Sequence, residues 1–163
     1  NKKSAVANRL LSFMLLDRDY AVYVSEHLVP ESLPQDWLPV YKLLVIYYTK
    51  QASNESLPPN PVDFIIADDP SLTNAANSLI IKKEELRALS YAEAVREIQQ
   101  HLDYLKKSLA QSKQTSLKEE LRQAERALAL AASAEEQDAL HSEIETILRR
   151  LNELSAELKD TDF

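Results

Sequence analysis

The chain of 163 residues contains neither glycine nor cysteine. Left-handed turns, tight hairpins and phosphate-binding loops depend on glycine, so its absence argues against a β-rich fold, a P-loop and a dinucleotide-binding fingerprint. The absence of cysteine excludes disulfides and thiolate metal sites, and it is compatible with a reducing cytosol. We therefore expect an all-α protein of the cytoplasm.

Long apolar runs are also scarce. The most apolar run, "WLPVYKLLVIYY", is interrupted by Pro39 and Lys42 and is shorter than the ~20 residues that a membrane span needs. The 19 basic and 26 acidic residues give a net charge of −7, which disfavours attraction to duplex DNA or to an anionic membrane. We therefore expect a protein partner, without direct binding of nucleic acid or membrane.

The two halves of the chain differ in composition. Residues 1–89 hold every proline and the only tryptophan, whereas the second half has no proline and is rich in Ala, Leu, Glu, Gln, Lys and Arg. This contrast predicts a small N-terminal helical bundle at 1–89, a long connecting helix at 90–115 and an antiparallel helical hairpin for partner docking at 116–163. The expected bundle core contains Phe13, Trp37, Tyr47, Tyr48 and Phe64.

Polar residues ahead of apolar stretches predict where helices begin in the first half. Ser4 and Asp36 are candidate caps of the first and third helices, and Asn60 followed by Pro61 predicts the start of a fourth.

In the second half, serine is followed three residues later by glutamate at Ser90, Ser116 and Ser133, which matches the capping box. The leucine repeats before and after "SKQTS" are also one residue out of phase. We therefore predict three long helices, with a break or stutter near Ser112–Ser116.

The last predicted helix carries an apolar stripe. Its length of about 25 residues corresponds to about 38 Å, whereas a middle helix of about 16 residues reaches only about 24 Å. Paired from the turn outward, Leu154 and Leu158 would overhang and Leu148 would lie on the flank, unless the first long helix runs straight on. An external partner is then expected to cover them.

Residue patterns typical of catalysis do not emerge. Glu97 and His101 lie one helical turn apart, which is more often a helix-surface pair than a metal or acid–base unit. The segment "ADDP" at 67–70 is more typical of a helix end than of a magnesium site. The chain is therefore expected to be non-catalytic and to need no cofactor or metal.

Five stretches together resemble a known family over nearly the whole chain. The opening pattern is followed by a third-helix pattern, a serine–glutamate entry to a long helix, a charged helix and a closing helix. The stretches are "ANRLLSFMLLDRDYAVYVSEHL", "WLPVYKLLVIYY", "SYAEAVREIQQHLDYL", "LKEELRQAERALALA" and "EIETILRRLNEL". In this pattern the chain resembles the C-terminal helicase-binding domain of bacterial DNA primase.

The resemblance implies a role in the primosome during DNA replication. The hairpin would dock on the N-terminal collar of the hexameric replicative DNA helicase, and the globular subdomain would modulate the helicase. Primer synthesis would thereby be coupled to unwinding at the fork. The parent protein would be a DNA-directed RNA polymerase, a nucleotidyltransferase whose catalytic and zinc-binding domains lie upstream. The candidate helicase-binding residues are Leu148, Arg149, Arg150, Leu151, Leu154 and Leu158.

Three other interpretations stay open. The N-terminal collar domain of the replicative helicase has a similar fold, although it usually opens with a proline-led acidic stretch, whereas this chain opens with "NKKSAV". The apolar stripe could instead mediate self-association, and the isolated chain is expected to be a monomer or a weak dimer. The tyrosines of the first half could stack on single-stranded nucleic acid, but few basic residues, among them Arg18 and Lys42, lie near them in sequence.

Overall fold

A computed structural model describes residues 1–160, and every regular element in that range is helical. The all-α prediction is therefore confirmed. No helix in this range is both long enough and apolar enough to span a lipid bilayer. The elements are α1 (Lys2–Leu16), α2 (Arg18–His27), α3 (Leu38–Ala52), α4 (Pro61–Asp68), α5 (Thr73–Leu86), α6 (Tyr91–Leu130) and α7 (Ala134–Asp160), with 3-10 turns at Pro30–Ser32 and Pro70–Leu72.

The chain divides into two compact units. The N-terminal unit comprises Asn1–Lys106, and the C-terminal unit begins at Lys107. The first of these contains α1 to α5 and the beginning of α6, and the second contains the rest of α6 together with α7. The functional division at residues 89 and 115 stays a prediction.

The N-terminal unit is built around α1. This helix packs against α2 and α5, and Leu10, Leu11, Phe13 and Met14 on it are completely buried. Because neighbours cover several of its faces, α1 is apolar around most of its circumference rather than along one stripe. Phe13, Trp37 and Tyr47 are buried as predicted, whereas Tyr48 and Phe64 are half-buried.

Two of the predicted helix caps in this unit are wrong. Helix α1 begins earlier than expected, and the Asn1 side chain accepts a hydrogen bond from the Lys3 amide at 2.9 Å. Ser4 therefore lies inside the helix, where its hydroxyl accepts a hydrogen bond from the Trp37 indole at 2.8 Å. Asp36 does not cap α3, because the Pro34 carbonyl accepts the backbone N–H groups at the start of that helix.

The start of α4 follows the prediction. Pro61 is its first residue, and the Asn60 side chain accepts a hydrogen bond from the Val62 amide at 3.0 Å. A proline at this position removes no intrahelical hydrogen bond, so the Asn-Pro pair specifies the helix start locally.

The predicted break near Ser112–Ser116 is wrong, because α6 is continuous over 40 residues. No glycine or proline interrupts this segment, and the Thr115 hydroxyl donates to the Gln111 carbonyl at 3.0 Å, as hydroxyls do within helices. The phase shift has another cause. Leu102 and Leu105 belong to the N-terminal core, whereas Leu117 belongs to a separate cluster with residues of α7. A helix that changes its packing partner changes its buried face without breaking.

Of the three helix starts predicted at serines, those at Ser90 and Ser133 are confirmed, and the one at Ser116 is wrong because Ser116 lies inside α6. Ser90 accepts a hydrogen bond from the Glu93 amide at 3.2 Å before α6, and Ser133 accepts one from the Glu136 amide at 3.1 Å before α7. The Glu136 carboxylate reaches back to the Ala132 amide at 3.2 Å, one residue before the position that a capping box would give. The Ser133 and Glu136 bonds fix the turn between α6 and α7.

The C-terminal unit is a hairpin of two helices with a thin apolar seam. Leu117, Ala124 and Ile147 are buried in it, and Leu121, Ile144, Leu151 and Leu154 pack against them. The part of α6 in this unit has 24 residues (107–130), about 36 Å of helix, and the 27 residues of α7 span about 40 Å. The expected overhang of Leu154 is therefore wrong, because uninterrupted α6 runs alongside it.

Candidate docking surface

The six predicted helicase-binding residues fall into two groups in the structure. Leu151 and Leu154 pack into the seam of the hairpin, and Leu158 is half-buried. Leu148 is 45% exposed, and Arg149 and Arg150 beside it are exposed. Only the second group presents itself to a partner without opening the hairpin. We call Leu148, Arg149 and Arg150 the α7 side face.

The seam opens into a groove near the end of α7. Its cavity volume is 390 Å³, and it lies between Ser112–Glu120 of α6 and Arg150–Glu157 of α7. Leu154 contributes to the lining, and the Gln114 amide donates to the Ser155 hydroxyl at 3.5 Å across the two helices. Leu154 is therefore engaged by its own hairpin, which is the alternative that the sequence analysis gave for a first long helix that runs straight on.

The hairpin tip is a second surface, which the sequence analysis missed. We define the tip as residues 127–134, an uncharged run of six alanines or leucines followed by Ser133 and Ala134. Leu130 within it is 84% exposed. Within the charge-rich second half, residues 90–163, these eight successive residues are the longest uncharged run, which was a visible signal. An exposed leucine within a contiguous apolar run is typical of binding surfaces.

Charge is distributed unevenly around the tip. Between Arg126 and Arg149 the chain contains five carboxylates and no lysine or arginine, so this segment carries a net charge of −5 out of the total of −7. All five carboxylates are exposed; they belong to Glu135, Glu136, Asp138, Glu143 and Glu145. The first half of α7 is therefore acidic, and basic side chains reappear only at the α7 side face.

The Glu97–His101 pair turns out to involve a third residue. Arg9 of α1 reaches Glu97 Oε1 through Nε and Nη2, each at 2.7 Å, whereas His101 Nε2 lies 3.8 Å from the same oxygen. Burial lowers the pKa of His101 below 6.5, the nearby Glu97 carboxylate opposes that shift, and Arg9 and Lys2 add to it. The arrangement ties α1 to α6 and is structural, because the cation of Arg9 already occupies the carboxylate.

Two tyrosines of the N-terminal unit, Tyr47 and Tyr48, use their hydroxyls internally. Tyr48 donates to the Met14 carbonyl at 2.5 Å, and Tyr47 donates to the Pro58 carbonyl at 2.7 Å. Burial and the neighbouring Tyr47 and Asp17 raise the pKa of Tyr48 to about 12. Rings held in this way support packing of the core and are poorly placed to stack on bases.

The acidic pair before Pro70 has a local structural role. Asp69 Oδ1 accepts hydrogen bonds from the Ser71 amide at 3.0 Å and from the Ser71 hydroxyl at 2.6 Å. Its carboxylate thereby caps the 3-10 turn at Pro70–Leu72. Across residues 1–160, no three His, Asp or Glu side chains converge in a way that could hold a metal ion.

Comparisons of the chain with protein-family models, with curated proteins and with solved structures gave no significant match. The observations that bear on function are therefore the two surfaces of the hairpin, the α7 side face and the tip, together with the sequence patterns.

Proposed function

We propose that this chain is a non-catalytic, protein-binding domain of a bacterial DNA primase, which attaches the primase to the hexameric replicative helicase. The observation that carries the proposal is the hairpin, a compact unit of α6 and α7 that buries its own seam and still exposes apolar side chains. A helix-in-groove contact suits such a surface, because exposed leucines can anchor it and charged neighbours can orient it.

The fold fits the resemblance at the level of its parts. A small helical bundle is followed by a long helix and a helical hairpin, in the order that the primase pattern implies. In this proposal the N-terminal unit modulates the helicase, and the hairpin holds the two proteins together while primers are made. RNA polymerisation belongs to other domains of the parent protein.

The α7 side face is the proposed contact. Leu148 supplies an apolar anchor, and Arg149 offers a planar cation that can pair with a carboxylate of the helicase. Leu151 and Leu154 contribute indirectly, because they hold α7 against α6 and so keep the face in position.

The test is size-exclusion chromatography with light scattering on the whole chain, alone and mixed with the replicative helicase of the same organism. Co-elution of the wild-type chain is the expected result. The double variant Leu148→Ser, Arg149→Ser should reduce co-elution, because both side chains are exposed and their loss leaves the seam intact. Ile81→Ser is the matched control, because Ile81 is a 68% exposed side chain of the N-terminal unit.

The outcomes separate the alternatives. No co-elution of the wild-type chain would refute the helicase-binding proposal. A concentration-dependent dimer without helicase binding would favour the self-association hypothesis. Co-elution that persists unchanged in the double variant would leave the partner in place but remove the α7 side face from the contact.

A further inference from the structure

The most exposed large apolar side chain in the described part of the chain is Leu130, at the hairpin tip. It lies 84% exposed in an uncharged run, in a chain whose surface is otherwise rich in charge. An exposed leucine alone needs no explanation, but here five alanines and a second leucine in the tip reduce the polar surface around it.

The tip is held in one conformation. The Ala131 amide donates to the Leu128 carbonyl at 3.2 Å, which ends α6, and the Ser133 hydroxyl and Glu136 carboxylate cap the start of α7. Short alanine side chains also lose little rotamer entropy on binding. Binding of Leu130 by a partner therefore costs the tip little conformational entropy.

The charge beside the tip indicates what the partner looks like. Glu135 and Asp138 follow the tip within the first five residues of α7, about 6 Å of helix, and both are exposed. The exposed Arg126 directly before the tip offsets only part of this charge, because residues 125–138 contain four carboxylates and one arginine. A surface that approaches Leu130 must therefore meet a negative potential.

We infer that the hairpin tip inserts Leu130 into an apolar pocket of the helicase that is bordered by lysine or arginine side chains. This inference rests on the proposed function and adds an end-on contact to it. The tip and the α7 side face are about 22 Å apart along α7, from Ala134 to Arg149. The two contacts can therefore be tested separately by substitution.

The basic border distinguishes this contact from the α7 side face. The arginines of that face would pair with carboxylates of the helicase, whereas the tip requires cations. Added salt screens interactions between exposed charges, so an acidic tip predicts that association weakens as salt rises.

The experiment is a titration of the wild-type chain and its variants with the helicase at low and at moderate salt. Binding is monitored through the fluorescence anisotropy of a label on the chain. Leu130→Ser should weaken binding by about tenfold or more, as expected for a central apolar anchor. The matched control Ile81→Ser should change the affinity by less than about twofold, since surface substitutions outside a contact are nearly neutral. Leu130 is too exposed for its loss to unfold the hairpin, and circular dichroism of each variant checks this.

Charge is tested with the double variant Glu135→Gln, Asp138→Asn, which avoids the capping Glu136. It should weaken binding at low salt by a few-fold and flatten the salt dependence. The charge-matched control is Glu26→Gln, Glu55→Gln, two exposed carboxylates outside the hairpin. This control should bind like the wild-type chain.

Three outcomes would contradict the inference. If Leu130→Ser binds as well as the wild-type chain, the tip is not an anchor, while the proposed function stands. If affinity is independent of salt and of the Glu135/Asp138 substitutions, the basic border is wrong. If the wild-type chain fails to bind the helicase at low salt, the proposed function fails, and the tip inference fails with it.

Discussion

The two compact units bury very different amounts of apolar surface. The N-terminal unit has a cluster of 24 buried apolar residues, many of them at 0% exposure, whereas the hairpin seam has three, Leu117, Ala124 and Ile147. A two-helix layer can cover each helix from one side only, so most of its surface stays in contact with solvent. The N-terminal unit is therefore organised around its own core, whereas the hairpin leaves apolar and charged surface exposed for a partner.

The largest expected effect comes from emptying the deeper core. Phe13 is completely buried, and its ring lies 5.9 Å from that of Tyr20 in an edge-to-face contact. Phe13→Ala should destabilise the N-terminal unit by about 3–5 kcal/mol, from lost burial and the cavity left behind. Urea unfolding, monitored by Trp37 fluorescence, measures this loss of stability, because the only tryptophan lies in that unit. A shift below about 1 kcal/mol would mean that the bundle repacks easily.

The corresponding change in the hairpin is Ile147→Ala. Ile147 is the buried residue of α7, and its loss should cost about 2–4 kcal/mol, at the lower end of buried Ile→Ala changes because a thin seam can relax. Hydrogen exchange should then show α7 opening while the Trp37 transition of the N-terminal unit keeps its midpoint. If the midpoint of the Trp37 transition falls together with the protection of α7, the two units unfold as one.

A smaller effect is expected from the turn between α6 and α7. Ser133→Ala removes the hydroxyl that accepts the Glu136 amide, which should cost about 1 kcal/mol of hairpin stability. Protection of the amides in the first turn of α7 should fall, and that of α1 should not change. Ser116→Ala is the matched control, because Ser116 lies inside α6 and should have little effect or a slightly stabilising one.

The smallest effect depends on pH and belongs to the N-terminal unit. Because the folded-state pKa of His101 lies below 6.5, the folded state favours the neutral ring. The stability that the neutral His101 ring contributes to the folded state is complete above about pH 6.5 and is lost as the pH falls through and below that value. His101→Gln should therefore reduce the decline in melting temperature between about pH 7.5 and 5.5, measured through Trp37. An equal decline in both proteins would assign the acid sensitivity to other groups.

Local sequence signals predicted several features correctly. The absence of glycine with the wealth of helix formers indicated an all-α fold, and the signals at Asn60-Pro61, Ser90 and Ser133 marked real helix starts. Each of these helix starts depends on a hydrogen bond between residues two or three apart, so neighbours in sequence are enough to specify it. The sequence also placed Leu148 on the flank of the stripe, and its side chain is 45% exposed, whereas the helicase-binding role of Leu148, Arg149 and Arg150 stays a prediction.

Tertiary packing decided the remaining features. Ser4 lies inside α1 and bonds Trp37 instead of capping the helix. The serine–glutamate pattern that starts α7 also occurs at Ser116, but there it lies inside α6 and starts no helix. Whether Leu154 is covered depended on α6 running on beside it, which the repeat pattern could not reveal, because a phase shift looks the same at a break and at a change of partner. The helical fold class and the positions of the acidic and apolar segments follow from local composition and can be read from neighbouring residues. Which of those apolar side chains stay exposed follows only from the packed fold, because burial depends on residues distant in the chain.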